Sequence, residues 1–378
     1  MYNQGHIVHI TNFTSREIKD GGINREEALS KFLANRGATR LVIQDDKFKH
    51  SKFSRLTRIL RLLSEIRSLS PDTIILNYPA YPFFWQHKIT LYTLQAQYFA
   101  RWLRKWSLQN KARIIIDIAD LPLYQYEDLG LPMEMSTTRF KQLDKTLFLN
   151  ADELWVCSHS LSILAREAYG LDKQIIKPVV NGSVARNQLK SDSGAHPFRF
   201  VYCGGLKRHR YIDNMIQTFI DSNISNAELH LAGTEGQWIP SQFPQNNVIY
   251  HGSLTDAAAA KMAMNCDLGL IYYPQKGYYH LAFATKLAFY ICCGLPVLCT
   301  DVNETGNAIR SMGVGQIVDI ANFGEAMKEI AGSADLRTRF RDALAAAGNE
   351  LTWERIYSVA TGEISMKSGY PTPEVKAL

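Results

Sequence analysis

Residues 283–298 read FATKLAFYICCGLPVL. One cation, Lys286, stands in an otherwise apolar run that Gly294 and Pro296 bring to an end. The pattern predicts a helix over 285–293, with Thr285 as N-cap, Gly294 at C′ and a short strand at 296–299. Leu287, Tyr290 and Ile291 form its packing face. Lys286 then falls in the first turn, where the helix dipole disfavours a positive charge. A bound anion would reverse the sign of that cost. A lysine snorkelling from a helix end is the plainer alternative. A buried helix that ends in Gly-x-Pro and leads into a strand is one half of a βα repeat.

The rest of the chain keeps that rhythm. Residues 6–11 (HIVHIT), 40–44 (RLVIQ), 73–77 (TIILN), 113–118 (RIIIDI) and 154–157 (LWVC) read as strands. Helices are expected over 22–36, 54–69, 90–108 and 138–149. Alternation of this kind builds a parallel sheet covered on both faces. A polar, turn-rich linker, SDSGAHP at 191–197, interrupts it. The rhythm then restarts, with strands at 198–203, 228–232, 247–250, 267–272 and 296–299, and helices near 211–222, 255–264, 285–293 and 304–311. The fold class is therefore α/β: two doubly wound Rossmann-like domains facing a cleft, over 1–183 and 184–350. A last amphipathic helix follows at 351–366, with Trp353, Ile356 and Tyr357 available for packing. Ligands of such sheets bind beyond the carboxyl ends of the strands.

Composition agrees with this organisation. The 378 residues fit two domains, and 46% hydrophobic with 21% charged residues is ordinary for a soluble globular protein. The start, MYNQGHIVHI, lacks the basic-then-apolar order of a signal peptide, and no run reaches the roughly 18 apolar residues of a spanning helix. A cytoplasmic location is expected. The six cysteines form no CxxC pair and have no zinc spacing, so free buried thiols are expected. The net charge of +6 is uneven. Up to Ser183 there are 25 Lys and Arg against 18 Asp and Glu, a net +7, and the remainder carries 17 against 18. Such asymmetry suggests an anionic partner: lipid head groups, nucleic acid or an anionic substrate.

Several segments carry candidate chemistry. YCGGLKRHR at 202–210 follows the first strand of the second half. Gly204 and Gly205 let backbone approach a ligand, and Lys207, Arg208 and Arg210 add cations beside a helix start, a combination suited to phosphate. A surface turn with solvated charges is the alternative. Lys286 is expected to meet a diphosphate from one side and Arg210 from the other. DGGIN at 20–24 places Gly21, Gly22 and Asn24 in a tight loop between the first strand and first helix. It is not GxGxxG, and no acidic residue ends the second strand, which argues against a hydride-transfer enzyme. DIADLP at 117–122 sets Asp117 and Asp120 near a strand's carboxyl end, where a carboxylate could take a proton from a hydroxyl. A turn or capping role ahead of Pro122 is equally open.

Other residues carry weaker signals. His87, His159, His209 and His280 read first as structural, with His280 favoured because it precedes the Lys286 helix. YYPQKGYYH at 272–280, including Tyr273, could stack on a base or sugar, or simply pack. HSKFSRLTRILRLLSEIRSLS at 50–70 and ARWLRKW at 100–106 are basic and amphipathic, as for docking on an anionic membrane surface or for a core helix with a solvated face. No aromatic-rich RNA-binding motif accompanies them, so a nucleic-acid partner is not expected.

Taken in order, five of these segments resemble a GT-B glycosyltransferase over nearly the whole chain. DGGIN with the helix and NRG after it resembles the first-domain loop and helix. WVCSHSL followed by NGS (181–183) resembles the passage leading out of that domain. VYCGGLKRHR resembles its glycine turn, ATKLAFYICCGLPVL its donor-site helix, and LTWERIYS the terminal helix that crosses back to the first domain. Retaining family-4-like enzymes usually carry two glutamates around the donor-site helix, and those places hold Leu281 and Phe289 here. The chain is more similar to the xanthan-type glucuronosyltransferase, which keeps the lysine and lacks the acidic pair.

The resemblance implies transfer of a sugar from a nucleotide diphosphate sugar, expected to be a UDP-sugar, to a hydroxyl of a glycan or lipid-linked acceptor. It implies inversion, no cofactor and no metal. Asp120 would be the base. Gly204, Gly205, Lys207, Arg210, Tyr273, His280, Thr285, Lys286 and Tyr290 would form the donor site. It also implies an association with the inner membrane face through a basic, apolar first domain. A retaining enzyme or a non-catalytic GT-B partner subunit are the competing expectations.

Overall fold

The computed structural model describes residues 5–13, 21–44, 52–78, 89–128, 136–186, 197–275, 277–347 and 349–365. They fall into two units, each built on its own sheet.

The first unit runs to Val180 and includes Tyr357–Ser365. Its elements are β1 (Ile7–Phe13), α1 (Gly21–Ala34), β2 (Thr39–Gln44), α2 (Lys52–Leu69), β3 (Thr73–Tyr78), α3 (Ile89–Asn110) and β4 (Arg113–Ile118). They continue with α4 (Pro122–Asp128), α5 (Thr137–Leu149), β5 (Glu153–Val156), α6 (His159–Tyr169) and β6 (Ile175–Pro178). The strands are all parallel, in the order β2-β1-β3-β4-β5-β6. Central strands covered on both faces must be apolar throughout, which is why TIILNY and RIIIDI show no in–out alternation. Ile74, Ile75, Leu76, Ile114, Ile115 and Ile116 are all buried. Helix boundaries follow local chemistry. In α6, Ser158 accepts a hydrogen bond from the Leu161 N–H, and Gly170 ends the helix in a left-handed conformation.

The second unit spans Asn181–Ile356. It contains β7 (Phe198–Cys203), a 3-10 turn (Arg208–Arg210), α7 (Ile212–Ser222), β8 (Ala227–Ala232), α8 (Ile239–Gln242), β9 (Val248–Tyr250), α9 (Asp256–Met264) and β10 (Leu268–Ile271). After these come α10 (Tyr278–Leu281), α11 (Thr285–Cys292), β11 (Val297–Thr300), α12 (Asn303–Met312), β12 (Gly315–Val318), α13 (Phe323–Gly332) and α14 (Ala334–Ala347). The last helix, α15 (Trp353–Ala360), gives its first four residues to this unit and the rest to the first. The parallel order is β12-β11-β10-β7-β8-β9. Strand order reverses at β7/β10, and in open α/β sheets ligands bind just beyond such a switch point. One core face packs Phe200, Tyr202, Leu229, Leu231 and Leu270 against Met215, Ile216, Phe219 and Met327.

Ten strands lie where the pattern predicts them, within a residue or two. The two that the pattern misses, β6 and β12, are both at a sheet edge and only partly buried. All six cysteines are free. Burial pushes the thiols of Cys292 and Cys293 up to about 12 and about 11, which makes them poor nucleophiles.

Candidate functional site

The site is built where β7 and β10 end. β7 runs into Gly204, whose φ is +147°, and the Gly204 N–H donates to the Ala232 carbonyl at 2.9 Å. A Cβ on Gly204 would stand 2.6 Å from Lys286 Cε and 2.9 Å from Nζ. The missing side chain is therefore the space that the lysine occupies. Gly205 opens the same turn to Arg210, whose guanidinium lies 3.9 Å from where a Gly205 Cβ would be. The two glycines, Arg210 and Lys286 thus come together in one unit.

Lys286 is in the first turn of α11 and only 8% exposed. Its Nζ donates to the Tyr273 hydroxyl at 3.2 Å and lies 4.9 Å from the centroid of the Tyr202 ring. Among the described residues, no carboxylate pairs with Lys286 or with Arg210. Burying an unpaired cation is costly unless something compensates it. Burial pushes the Tyr202 hydroxyl up from its ordinary range, and Lys286 partly opposes that shift.

The other expected donor-site residues take distinct places. Lys207 turns to an ion pair with Glu235 at 3.2 Å, half-exposed. Arg208 lies over the Trp238 ring at 4.6 Å. Tyr273 stacks on Tyr279, ring centroids 4.8 Å apart. His280 accepts a hydrogen bond at Nδ1 from the Asn303 N–H, 3.3 Å. Tyr290 is fully buried, and its hydroxyl bonds to the backbone of β7 and β10, accepting from Cys203 N–H at 2.9 Å. It backs the site through the sheet. Thr285 is not the N-cap expected of it. Ala284 holds that position, and its N–H donates to Thr305 Oγ1 at 3.0 Å, so a threonine from the next helix supports the helix start. Gly294, at φ +69°, ends the helix as expected.

Gly21 and Gly22 begin α1, with Asn24 in its first turn, so helix takes the place of the tight loop expected over these residues. Asp120 follows β4 ahead of Pro122, which starts α4, and is partly buried. Its neighbour Asp117 is fully committed elsewhere. Arg25 grips it with three bonds, from Nη2 at 2.6 Å and from Nε at 3.0 and 3.1 Å, and Arg25 Nη1 donates to the Val179 carbonyl at 2.7 Å. Burial works against the charge on Arg25, but the Asp117 carboxylate outweighs it, and the net shift is upward. Asn77 Nδ2 also donates to Asp117 at 3.1 Å, and Asn77 Oδ1 accepts from His9 Nε2 at 2.6 Å. The pattern does not single out Arg25. The available signal is its spacing on α1, four and seven residues before buried Leu29 and Phe32. Tyr202, whose ring faces the Lys286 ammonium, and Thr300, whose hydroxyl bonds to the Tyr273 backbone, are also missed, because nothing local relates them to Lys286.

The basic segments lie on α2 and α3. Leu103 and Trp106 are buried, and Arg67 lies over the Trp102 ring. Leu60, Tyr98 and Leu108 stay exposed, at 52%, 58% and 64%. Side chains of residues 52–58 and His87 lie outside the described residues, as does the His209 side chain. Among the described residues no helix is long and apolar enough to cross a membrane, and no cluster of three His, Cys, Asp or Glu could hold a metal.

Residues 201–333 match the family model of the glucosyltransferase 3-like C-terminal domain. Solved structures match over most of the chain. A sucrose-phosphate synthase from Thermosynechococcus elongatus aligns with a TM-score of 0.66 and 16% identity, over 94% of this chain and 97% of that one. The fold is that of the GT-B glycosyltransferases. WaaG, a glycosyltransferase involved in lipopolysaccharide biosynthesis, aligns at 0.64 and 11% identity over 96% and 100% of the two chains. HepE from Anabaena, solved in complex with UDP-glucose, aligns at 0.64 and 14% identity over 95% and 98%. No curated protein matches the chain in sequence. The GT-B fold and the family match together support a glycosyltransferase, and neither singles out the xanthan-type branch.

Proposed function

We propose that the chain transfers a sugar from a nucleoside diphosphate sugar to an acceptor hydroxyl. The observation that carries this reading is the pair Lys286 and Arg210. Both lie at a glycine turn on the switch point of the second sheet, and neither has a carboxylate partner among the described residues. Negative charge builds on a leaving diphosphate as the glycosidic bond breaks. Two preorganised cations in a partly buried site stabilise that charge most where it is greatest. Their presence supports a reaction that needs no metal. The related structure bound to UDP-glucose favours a UDP-sugar as donor.

The finer assignments belong to the same proposal. Asp120 takes the proton from the acceptor hydroxyl, which attacks the anomeric carbon with inversion. The acceptor is a glycan or lipid-linked glycan. His280 and the turn at 204–205 contact the donor, and Tyr273 serves it through its hydrogen bond from Lys286. Lys207 adds a half-exposed charge, and Thr285 and Tyr290 support the helix that carries Lys286. Gly21, Gly22 and Asn24, at the start of α1, are assigned to the acceptor side.

A thermal-shift panel of UDP, GDP, dTDP and ADP, with and without magnesium, tests it. A ligand that binds only the folded state raises the midpoint by mass action. One nucleotide is expected to raise the wild-type midpoint without magnesium, and Lys286→Ala is expected to lose most of that rise. A flat response to every nucleotide would favour a non-catalytic partner subunit instead.

A further inference from the structure

Lys286 is held from several directions, and among the described residues none of its holders is an acid. Its ammonium donates to the Tyr273 hydroxyl and faces the rings of Tyr202 and Tyr273, 4.9 and 5.4 Å from their centroids. The Tyr202 hydroxyl donates to the Gly205 carbonyl at 3.5 Å, which links that ring to the glycine turn. Tyr273 is itself locked. Its N–H donates to Thr300 Oγ1 at 2.9 Å, and the same threonine hydroxyl donates back to the Tyr273 carbonyl at 2.8 Å. Stacking on Tyr279 fixes the ring plane.

The chemistry of these partners matters. An ammonium has three N–H donors. A carboxylate would satisfy them and cancel the charge. An aromatic face attracts the cation but leaves its charge uncompensated, and one phenol oxygen occupies a single donor. The lysine is thereby held in place with its charge still available. We infer that Tyr273 is a positioning residue, assisted by Tyr202, that presents the Lys286 ammonium to the diphosphate while leaving it charged. This rests on Lys286 being the diphosphate clamp.

A double-mutant cycle on UDP binding tests the inference, by calorimetric titration of wild type, Tyr273→Phe, Lys286→Ala and the double variant. Phenylalanine keeps the ring and removes only the hydroxyl. Tyr273→Phe is expected to weaken UDP about tenfold, the scale of one hydrogen bond to a charged group. The double variant is expected to bind no worse than Lys286→Ala, because the tyrosine acts only through the lysine. No binding of UDP, GDP, dTDP or ADP by wild type, or unchanged binding by Lys286→Ala, overturns the clamp itself. If Lys286→Ala is weakened but Tyr273→Phe binds like wild type, or its loss adds fully in the double variant, the clamp stands and the positioning role is wrong. The ligand-free melting midpoint of each variant separates misfolding from lost binding. Should Tyr273→Phe lower that midpoint, Tyr202→Phe takes its place in the cycle, with a smaller non-additive loss expected and an additive one decisive against the inference.

Discussion

Gly204 determines how closely Lys286 can approach the end of β7. Its φ of +147° is disfavoured for any residue with a side chain, and the absent Cβ would stand 2.6 Å from Lys286 Cε. Gly233 also lies close against the Gly204 carbonyl, where a Cβ would not fit. Gly204→Ala is expected to cost about 1–3 kcal/mol through backbone strain. It should also push Lys286 off its position and weaken nucleotide binding. Gly205→Ala is the control, since its Cβ would meet nothing closer than the Arg210 guanidinium at 3.9 Å. Urea unfolding and UDP titration of both variants check this. A Gly204→Ala protein as stable and as tight-binding as wild type would rule the account out. The GG pair was legible in the sequence, but not which glycine makes room for the lysine. That depends on a contact across 82 residues.

At the scale of elements, the first sheet buries two titratable groups with opposite consequences. His9 on β1 is pushed down to about 3, mainly by burial, with the Asn77 bond opposing and Arg40 adding to the fall. Asp144 on α5 is pushed up to about 7 by burial, although the Tyr78 and Tyr169 hydroxyls donate to it at 2.7 and 2.9 Å. A depressed histidine contributes stability that is present above its unfolded value of 6.5 and is lost as pH falls through about 3. A raised carboxyl contributes stability that is present below its unfolded value of 3.8 and is lost as pH rises through about 7. Between those unfolded values the two slopes oppose and nearly cancel. Asp144→Asn should therefore uncover stability that rises with pH across this window, and His9→Gln stability that falls. Each slope is up to about 1.4 kcal/mol per pH unit. Unfolding free energies from pH 4 to 6.5 check both signs, and equal slopes in the two variants would refute the assignment. Neither group stands out in sequence. HIVHIT and KQLDKT look like ordinary strand and helix surface, and burial arises only when the layers close.

For the whole molecule, the proposed chemistry is divided between the units, with Asp120 in the first and Lys286 in the second. The two variants should therefore fail differently. Asp120→Asn is expected to keep the nucleotide-induced thermal shift while transfer falls by a factor of roughly 100 or more, the scale of a lost general base. Lys286→Ala should lose both. NMR of the product is expected to show inverted anomeric configuration. A retained configuration, or near-normal transfer by Asp120→Asn, would remove Asp120 from the role of base.

The sequence by itself determined the class of fold, because parallel strands buried on both faces must be continuous apolar runs, and such runs can be read locally. It also placed Lys286 in the first turn of its helix and glycines after β7. It could not show the edge strands β6 and β12, which are half-solvated and so carry no burial pattern. Only the tertiary structure separated the two aspartates of DIADLP, committing Asp117 to Arg25 at a sequence distance of 92 residues. Only it surrounded Lys286 with tyrosines from two other strand ends. Periodicity is a property of neighbours along the chain. The pairing of a buried charge is a property of neighbours in space, and strand order at the switch point decides which residues those are.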